Sequence, residues 1–230
     1  MFAAVILIGA ALLMLPISAQ ERTVTPFHEA LFTATSAVCV TGLVVRDTAS
    51  HWSAFGQAVL MVLIQIGGLG VITVGASFSL LSGRRISLSQ RGRMQEAMSA
   101  PKVGGIVRLT GFVIRTSLMI EGIGALCMLP VFCRDFGVSG IWKAVFHSVS
   151  AFCNAGFDLM GVNSPFSSLT DYVGDPLVSN VIAFLIIIGG VGFLTWNDIR
   201  EHKLHFRRYR LQSKLILTTT LALILTGLLF

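Results

Sequence analysis

Two short runs of small residues recur along the chain and carry its most informative chemistry. Residues 32–43 and 146–157 share the pattern F-x-x-x-S-A-x-C-x-x-G-[LF], with equivalent positions 114 residues apart. Each run holds one glycine near its end, which lets successive backbone carbonyl groups turn toward a common axis. Rings of such carbonyls replace the hydration shell of an ion such as K⁺. The candidate ion-binding residues are Cys39, Val40, Thr41, Gly42 and Leu43, and Cys153, Asn154, Ala155, Gly156 and Phe157.

Other chemistry has little support in these runs. They consist mainly of Ser, Ala, Thr and Gly, without the nucleophile, base or metal ligands that an enzyme site needs. The cysteines Cys39, Cys127, Cys133 and Cys153 lack the spacing of a zinc site or a disulfide framework, so we interpret them as small packing residues. The structural alternative to an ion site is a glycine-bearing membrane turn between packed helices.

The elements before the two runs are too short to cross a membrane. A helix is predicted over 26–38, with Thr25 as N-cap and Pro26 in the first turn, and another over 140–152, with Ser139 as N-cap. Thirteen helical residues span about 19 Å, whereas the hydrocarbon core is roughly 30 Å thick. Each helix must therefore enter the membrane and return, aiming its electronegative C-terminal end at the membrane centre, where cations are favoured.

Composition places the rest of the chain in lipid. The sequence is 54% hydrophobic and 12% charged, against about 25% charged residues in soluble domains. The first apolar stretch has the length of a signal peptide but no basic start, so we interpret it as a mature span. Membrane spans are predicted at 2–19, 55–81, 106–132, 178–196 and 215–230.

Charge distribution predicts the orientation of these spans. The loops 83–105 and 198–214 each carry a net charge of +4, whereas the segments 20–56 and 134–180 carry −1 and −2. By the positive-inside rule, the N-terminus and both basic loops are cytoplasmic and the acidic segments face outward, where they attract cations. The excess of basic residues is therefore explained by topology, and no nucleic-acid partner is expected.

A second internal match follows each run and defines the domain organisation. Residues 63–70 align with 185–192 at an offset of 122, and their glycines fit close helix packing better than a nucleotide-binding loop. The predicted fold is an all-α integral membrane protein of tandem helix–pore-helix–filter–helix repeats. The predicted units are a first pore repeat (1–82), a cytoplasmic loop (83–105), a second repeat (106–197), a loop (198–214) and the first helix of a third repeat (215–230).

One carboxylate stands out within the predicted spans. Glu121 lies near the middle of 106–132, where an acidic side chain costs at least about 2.5 kcal/mol. One interpretation makes Glu121 an ion-pathway or coupling residue. The other, which we favour, makes it an acceptor that ties its span to the neighbouring pore-loop backbone.

Together these motifs resemble the Trk/Ktr/HKT superfamily of potassium transporters, in its bacterial Ktr/Trk branch. The resemblance covers essentially the whole chain and is carried by residues 36–43, 66–70, 87–97, 120–125 and 150–157. It implies a pseudo-fourfold pore in which four repeats each supply one filter strand with a single glycine, the place of Gly42 and Gly156 here. K⁺ is then the transported ion, with coupling to Na⁺ or H⁺ left open and no cofactor expected in this chain.

Two repeats supply only half of such a filter. The expected partner is therefore either the missing C-terminal half of a longer subunit or a second copy, and a homodimer in the cytoplasmic membrane is expected. The basic loops either dock a cytoplasmic nucleotide-binding regulatory ring, as the resemblance implies, or contact anionic lipid. Two other functions remain open: a half-size subunit that homodimerises into a cation pore, and a membrane carrier or enzyme with re-entrant solute-binding loops.

Overall fold

The described part of the chain is helical. A computed structural model describes residues 2–70, 106–162, 164–203 and 205–229, and within them the one isolated β-bridge joins Ala19 and Trp52. Short 3₁₀ turns lie at Pro16–Ser18, Thr170–Tyr172 and Phe206–Arg208. The helices are α1 (Phe2–Leu13), α2 (Phe27–Cys39), α3 (Thr48–His51), α4 (Ala54–Leu69), α5 (Ile106–Phe136), α6 (Ser139–Phe152), α7 (Pro176–Gly190), α8 (Phe193–His202) and α9 (Leu211–Leu229). The prediction of an all-α chain agrees with these residues.

Helices α1, α2 and α4 pack against one another and form the first three-helix set. Leu13, Leu60 and Ile64 are fully buried between them. Ser53 begins α4, because its hydroxyl accepts a hydrogen bond from the Gly56 N–H at 3.2 Å. The 13-residue α2 is thus held on two sides by the apolar helices α1 and α4, although it is too short to cross a bilayer itself.

Helices α5, α6 and α7 form a second set with the same pairwise contacts. Helix α5 continues to Phe136, four residues beyond the predicted end at 132, although Pro130 lies inside it. Asp175 begins α7 by accepting hydrogen bonds from the N–H groups of Leu177 (2.9 Å) and Val178 (3.1 Å). The short α6 occupies the place that α2 has in the first set.

The bounds of the two short helices follow the prediction within one residue, but their predicted caps are wrong. Thr25 is buried and hydrogen-bonds the His51 ring at 3.2 Å, so Pro26 takes the N-cap position of α2. Ser139 lies inside α6, and its hydroxyl donates to the Phe136 carbonyl at 2.8 Å. Neither hydroxyl caps its own helix, because Thr25 bonds a residue of α3 and Ser139 bonds the last residue of α5.

The predicted spans correspond only partly to long helices. By length and composition, Thr110–Phe136 is the one single helix among the described residues that is long and apolar enough to cross a membrane, and α7 with α8 also qualifies if the bent pair is counted as one span. The helices Phe2–Leu13, Ala54–Leu69 and Leu211–Gly227 are apolar but shorter. Helix α1 ends at Leu13 instead of 19, because the chain turns at Pro16, and α9 begins at Leu211 instead of 215. Residues 71–81 of the second span, and the loop 83–105, lie outside the described residues.

The span predicted over 178–196 is broken. Helices α7 and α8 meet at a 90° bend, with Gly192 between them at φ 86°. Gly70, 122 residues earlier, ends α4 with a φ of 82°. Both dihedral angles belong to a region that favours glycine, so both copies of the second internal match end in a glycine of positive φ.

The loop predicted over 198–214 is largely structured. It contains the end of α8, the 3₁₀ turn Phe206–Arg208 and the start of α9. The fully buried carboxylate of Asp198 accepts hydrogen bonds from the Arg210 N–H (3.1 Å) and the Ser213 hydroxyl (2.6 Å), and the Arg210 guanidinium lies 3.3 Å away. These bonds anchor α9 on α8.

Candidate ion-binding loops

The two glycine-bearing loops have the same backbone conformation. Val40 and Asn154, directly after α2 and near the end of α6, adopt left-handed φ values of 56° and 57°. Two residues later, Gly42 and Gly156 adopt φ values of 74° and 72°. Each pair is separated by the 114-residue offset of the sequence match, so the repeated residues fold into the same turn twice.

The same hydrogen bonds close both turns. The Thr41 N–H donates to the Ser36 carbonyl at 3.0 Å, and the Ala155 N–H donates to the Ser150 carbonyl at 2.8 Å. This bond from beyond a left-handed residue to the last helical turn is a common way to end a helix. In each turn this bond pairs an N–H group of the loop with a carbonyl group of the helix.

Most carbonyl groups of the loops accept no hydrogen bond within the described part of the chain, although the Phe157 carbonyl accepts one from the Ser150 hydroxyl at 2.6 Å. Among the described residues, no hydrogen-bond donor reaches the carbonyl oxygens of Val40, Thr41, Gly42, Asn154, Ala155 or Gly156. Unpaired buried or membrane-depth carbonyls are costly unless water or an ion satisfies them. The loops therefore present a set of backbone oxygen atoms suited to a dehydrated cation.

The two loops touch at their glycines. A Cβ atom built on Gly42 would lie 2.8 Å from the Ala155 carbonyl oxygen and 3.4 Å from the Gly156 Cα. A Cβ atom built on Gly156 would lie 3.4 Å from the Gly42 Cα. The glycines that the sequence placed 114 residues apart are thus in van der Waals contact, and a side chain at position 42 has no room.

The helix ends at these loops add a favourable potential for cations. Helices α2 and α6 both end where the loops begin, so the negative ends of their dipoles are directed at the same region. Roughly half an elementary negative charge is associated with each such helix end. Anions are disfavoured there, and a cation between the loops is stabilised without any charged side chain.

Glycines on α4 and α7 allow both short helices to approach closely. A Cβ atom on Gly67 would overlap the Val38 carbonyl oxygen, and one on Gly189 would overlap the Phe152 carbonyl oxygen. Val38 and Phe152 are equivalent residues at the C-terminal ends of α2 and α6. The prediction that the glycines of the second internal match serve close helix packing is confirmed at these two positions.

Burial differs between the loops. Cys153, Ala155 and Phe157 are buried, whereas Cys39 and Thr41 are exposed and Leu43 is 60% exposed. The second loop is covered because Cys153 packs on Gly68 of α4, in the preceding set. The interpretation of the cysteines as packing residues is confirmed for Cys153, whereas Cys39 and Cys127 are exposed in the described part of the chain.

The chain that leaves each loop is held by polar contacts the sequence did not reveal. Leaving the second loop, the Leu159 N–H donates to His147 Nε2 at 3.2 Å, and its carbonyl accepts from the Lys143 ammonium group. Leaving the first loop, Arg46 forms a bidentate ion pair with Glu29 of α2 at 2.8 and 3.0 Å. Both loops are thereby tied back to the helix that precedes them.

Asp47 links the two helix sets. Its Oδ1 caps α3 by accepting from the Ala49 and Ser50 N–H groups, and its Oδ2 accepts from the Phe166 N–H at 2.8 Å. Burial raises the pKa of Asp47, but these hydrogen bonds outweigh burial and hold the pKa below its ordinary value. The charged form therefore stabilises the fold at pH values above that ordinary pKa, and this contribution is lost as the pH falls through the lowered pKa.

Glu121 lies in α5 and is 5% exposed. Its Oε1 accepts a hydrogen bond from Gln65 Nε2 at 2.9 Å, and its backbone carbonyl accepts from the Ser148 hydroxyl of α6 at 2.6 Å. The Glu121 carboxyl group is thus a hydrogen-bond acceptor, but its partner is the Gln65 amide of α4 and not, as predicted, the backbone of the neighbouring pore loop. Gln65 was not singled out from the sequence, although an amide side chain among the apolar residues 58–69 of α4 is a signal that points to a buried partner.

Comparison with known proteins gives the family. A sequence model described as a cation transport protein, TrkH, matches residues 2–230. The chain belongs to the TrkH family. The resemblance to Trk/Ktr transporters predicted from the two loops is thus confirmed, and the TrkH family is one of membrane transporters and not of enzymes.

Several named relatives match this chain along nearly its whole length. The potassium/sodium uptake protein NtpJ of Enterococcus hirae is 41% identical over 227 residues, covering 98% of this chain and 49% of that protein. The Ktr system potassium uptake protein B of Bacillus subtilis is 44% identical over 219 residues (95% and 47%), and that of Vibrio alginolyticus is 38% identical over 229 residues (98% and 49%). The chain spans about half the length of these relatives.

Proposed function

We propose that this chain supplies two adjacent strands of the selectivity filter in a potassium uptake pore. The strands are residues 39–43 and 153–157, and their backbone carbonyl groups bind K⁺. The observation that carries the proposal is the contact between two loops with matching φ values, each with a single glycine at positive φ. In each loop three successive carbonyl groups, those of residues 40–42 and 154–156, accept no hydrogen bond from the described residues. K⁺ is the favoured ion because rings of backbone carbonyls replace its hydration shell.

Two strands form only part of a ring around an ion. We assign residues 1–82 and 106–197 to the first two pore repeats of a four-repeat subunit and α9 to the first helix of a third. The three-helix packing that both sets share supports this assignment. The chain also spans about half the length of its relatives, which leaves room for two further repeats.

The exposure of the first loop fits this arrangement. The second loop rests on α4 of the preceding set, through Cys153 on Gly68. The equivalent residue of the first loop, Cys39, is exposed among the described residues. In a closed ring, the last repeat of the complete subunit covers Cys39 in the way that α4 covers Cys153.

Orientation and partners follow from charge and from the relatives' names. The N-terminus and the basic segment 203–214 lie on the cytoplasmic side by the positive-inside rule, and the loops that contain Asp47 and Asp158 face outward. Relatives named as parts of a Ktr system support docking of a further cytoplasmic subunit on the basic surface. A relative named for both potassium and sodium supports Na⁺ as an accompanying ion.

The test is potassium uptake by the complete gene. In a strain that requires added potassium, expression of the complete protein is expected to restore growth at low K⁺ and to support uptake of Rb⁺, a K⁺ substitute, in washed cells. Residues 1–230 expressed alone are expected to give no uptake. A complete protein that reaches the membrane without transporting K⁺ or Rb⁺ would contradict the proposal, whereas uptake by residues 1–230 with a crosslinked dimer would support a half-size homodimeric pore instead.

A further inference from the structure

A buried polar chain links the two three-helix sets beside the second loop. Glu121 Oε1 of α5 accepts from Gln65 Nε2 of α4 at 2.9 Å, and the Cys153 thiol lies 3.9 Å from Gln65 Oε1. An amide side chain offers both a donor and an acceptor, so Gln65 satisfies both partners at once. The chain runs from a carboxyl group through an amide to the first residue of the second loop.

Cys153 also packs directly on α4. A Cβ atom built on Gly68 would lie 2.5 Å from Cys153 Sγ and 3.2 Å from Cys153 Cα. Gln65 and Gly68 are three residues apart in a helix, so they lie on the same face. Gly68 supplies the space for Cys153, and the Gln65 amide supplies the polar contact that orients its thiol.

The side chain and the backbone of Glu121 have separate partners. The Ser148 hydroxyl of α6 donates to the Glu121 carbonyl at 2.6 Å, and this bond does not depend on the side chain at position 121. Among the described residues, no basic side chain forms an ion pair with Glu121. Its carboxyl group thus acts here as a hydrogen-bond acceptor that fixes one orientation of the Gln65 amide.

We propose that Gln65 and Glu121 are positioning residues for the second filter strand. Their hydrogen bond holds the Gln65 amide, the amide holds Cys153, and Cys153 fixes the carbonyl groups of the three residues that follow it. The proposal rests on the proposed function of residues 153–157 as filter. Sites that recognise a ligand by geometry depend on supporting residues of this kind, because small displacements change which ligand fits.

The test exchanges donor and acceptor in the complete transporter. Uptake of Rb⁺ and of Na⁺ is measured for Gln65→Leu, Gln65→Glu, Glu121→Leu, Glu121→Gln and the double variant Gln65→Glu with Glu121→Gln. Gln65→Glu places two acceptors together and removes the donor, whereas the double variant restores a donor–acceptor pair with the roles reversed. Glu121→Gln keeps an acceptor for Gln65 and removes the charge.

We expect Gln65→Leu, Gln65→Glu and Glu121→Leu to lower the Rb⁺/Na⁺ uptake ratio by about fivefold to tenfold, the size expected for one lost hydrogen bond, with the maximal rate largely retained. Glu121→Gln and the double variant are expected to keep the ratio within about twofold of the unmodified protein. Gln57→Leu is the control, since Gln57 is another buried α4 amide whose bonds go to Trp52 and Trp142, away from the loop.

Three results would overturn the proposal: an unchanged ratio in Gln65→Leu, a loss in Glu121→Gln as large as in Glu121→Leu, or no recovery in the double variant. If the leucine variants fail to reach the membrane, Gln65→Glu and its recovery decide the matter, because both are nearly isosteric changes. The variant Gly42→Ser distinguishes failure of this inference from failure of the proposed filter. A selectivity loss in Gly42→Ser without one in the Gln65 and Glu121 variants contradicts this inference alone, whereas no loss in Gly42→Ser contradicts the proposed filter.

Discussion

Replacing Gly42 by serine in the complete transporter is expected to lower the K⁺/Na⁺ uptake ratio by at least about tenfold. Its φ of 74° costs an L-residue about 1–2 kcal/mol, and a Cβ atom would lie 2.8 Å from the Ala155 carbonyl oxygen. That oxygen is one of the proposed ion ligands, so the substitution displaces the neighbouring strand as well as its own. Competition between Rb⁺ and Na⁺ in washed cells measures the ratio.

Gly156→Ser is expected to have a smaller effect in the same assay. Its φ of 72° imposes the same backbone cost, but the nearest atom to its Cβ is the Gly42 Cα at 3.4 Å. Gly137→Ser is the matched control, because Gly137 has a φ of 60° and open space around its Cβ, outside the two loops. A selectivity loss in Gly137→Ser equal to that in Gly42→Ser would mean that backbone strain outside the loops also lowers selectivity. That result would contradict the assignment of Gly42 to the filter.

The second large effect is expected at the glycines beneath the short helices. Gly67→Ala and Gly189→Ala should each prevent assembly of an active transporter, because the added methyl group overlaps a backbone carbonyl oxygen of Val38 or Phe152. Overpacking typically costs about 1–3 kcal/mol, and a backbone atom yields less readily than a side chain. The yield of monodisperse protein in detergent, together with Rb⁺ uptake, measures the loss.

Gly111→Ala and Gly122→Ala are the controls for this prediction. Both residues lie in α5, and nothing lies within 4 Å of a Cβ atom at either position. Their yield and uptake are expected to match those of the unmodified protein. Normal activity in Gly67→Ala and Gly189→Ala would mean that the two short helices do not rest on these glycines in the working transporter.

The local structure near the loops could be predicted because the same sequence pattern occurs twice in the chain. Two copies of one pattern fixed the bounds of α2 and α6 within one residue and identified Gly42 and Gly156 as equivalent. The close packing at Gly67 and Gly189 followed from the second match. In these cases the information is local, since a helix end and its glycine lie within a few residues of each other.

The features that the sequence analysis predicted wrongly or did not predict depend mainly on contacts between residues far apart in the chain. Thr25 fits an N-cap by sequence, yet its hydroxyl bonds His51, 26 residues away. The partners Gln65 and Glu121 are 56 residues apart, and Asp47 and Phe166 are 119 apart. Apolar residues lie on both sides of Gly192, so hydropathy alone did not predict the 90° bend between α7 and α8. Gly192 lies at this bend and has a positive φ.

The most direct test of the central claim is to locate the ion. Crystals of the complete transporter grown in Rb⁺ or Tl⁺ would show its position by anomalous diffraction. We expect an anomalous peak within coordination distance of carbonyl oxygens from both loops, next to Gly42 and Gly156. A structure in which the bound ions lie elsewhere, while these carbonyl groups face protein or lipid, would contradict it.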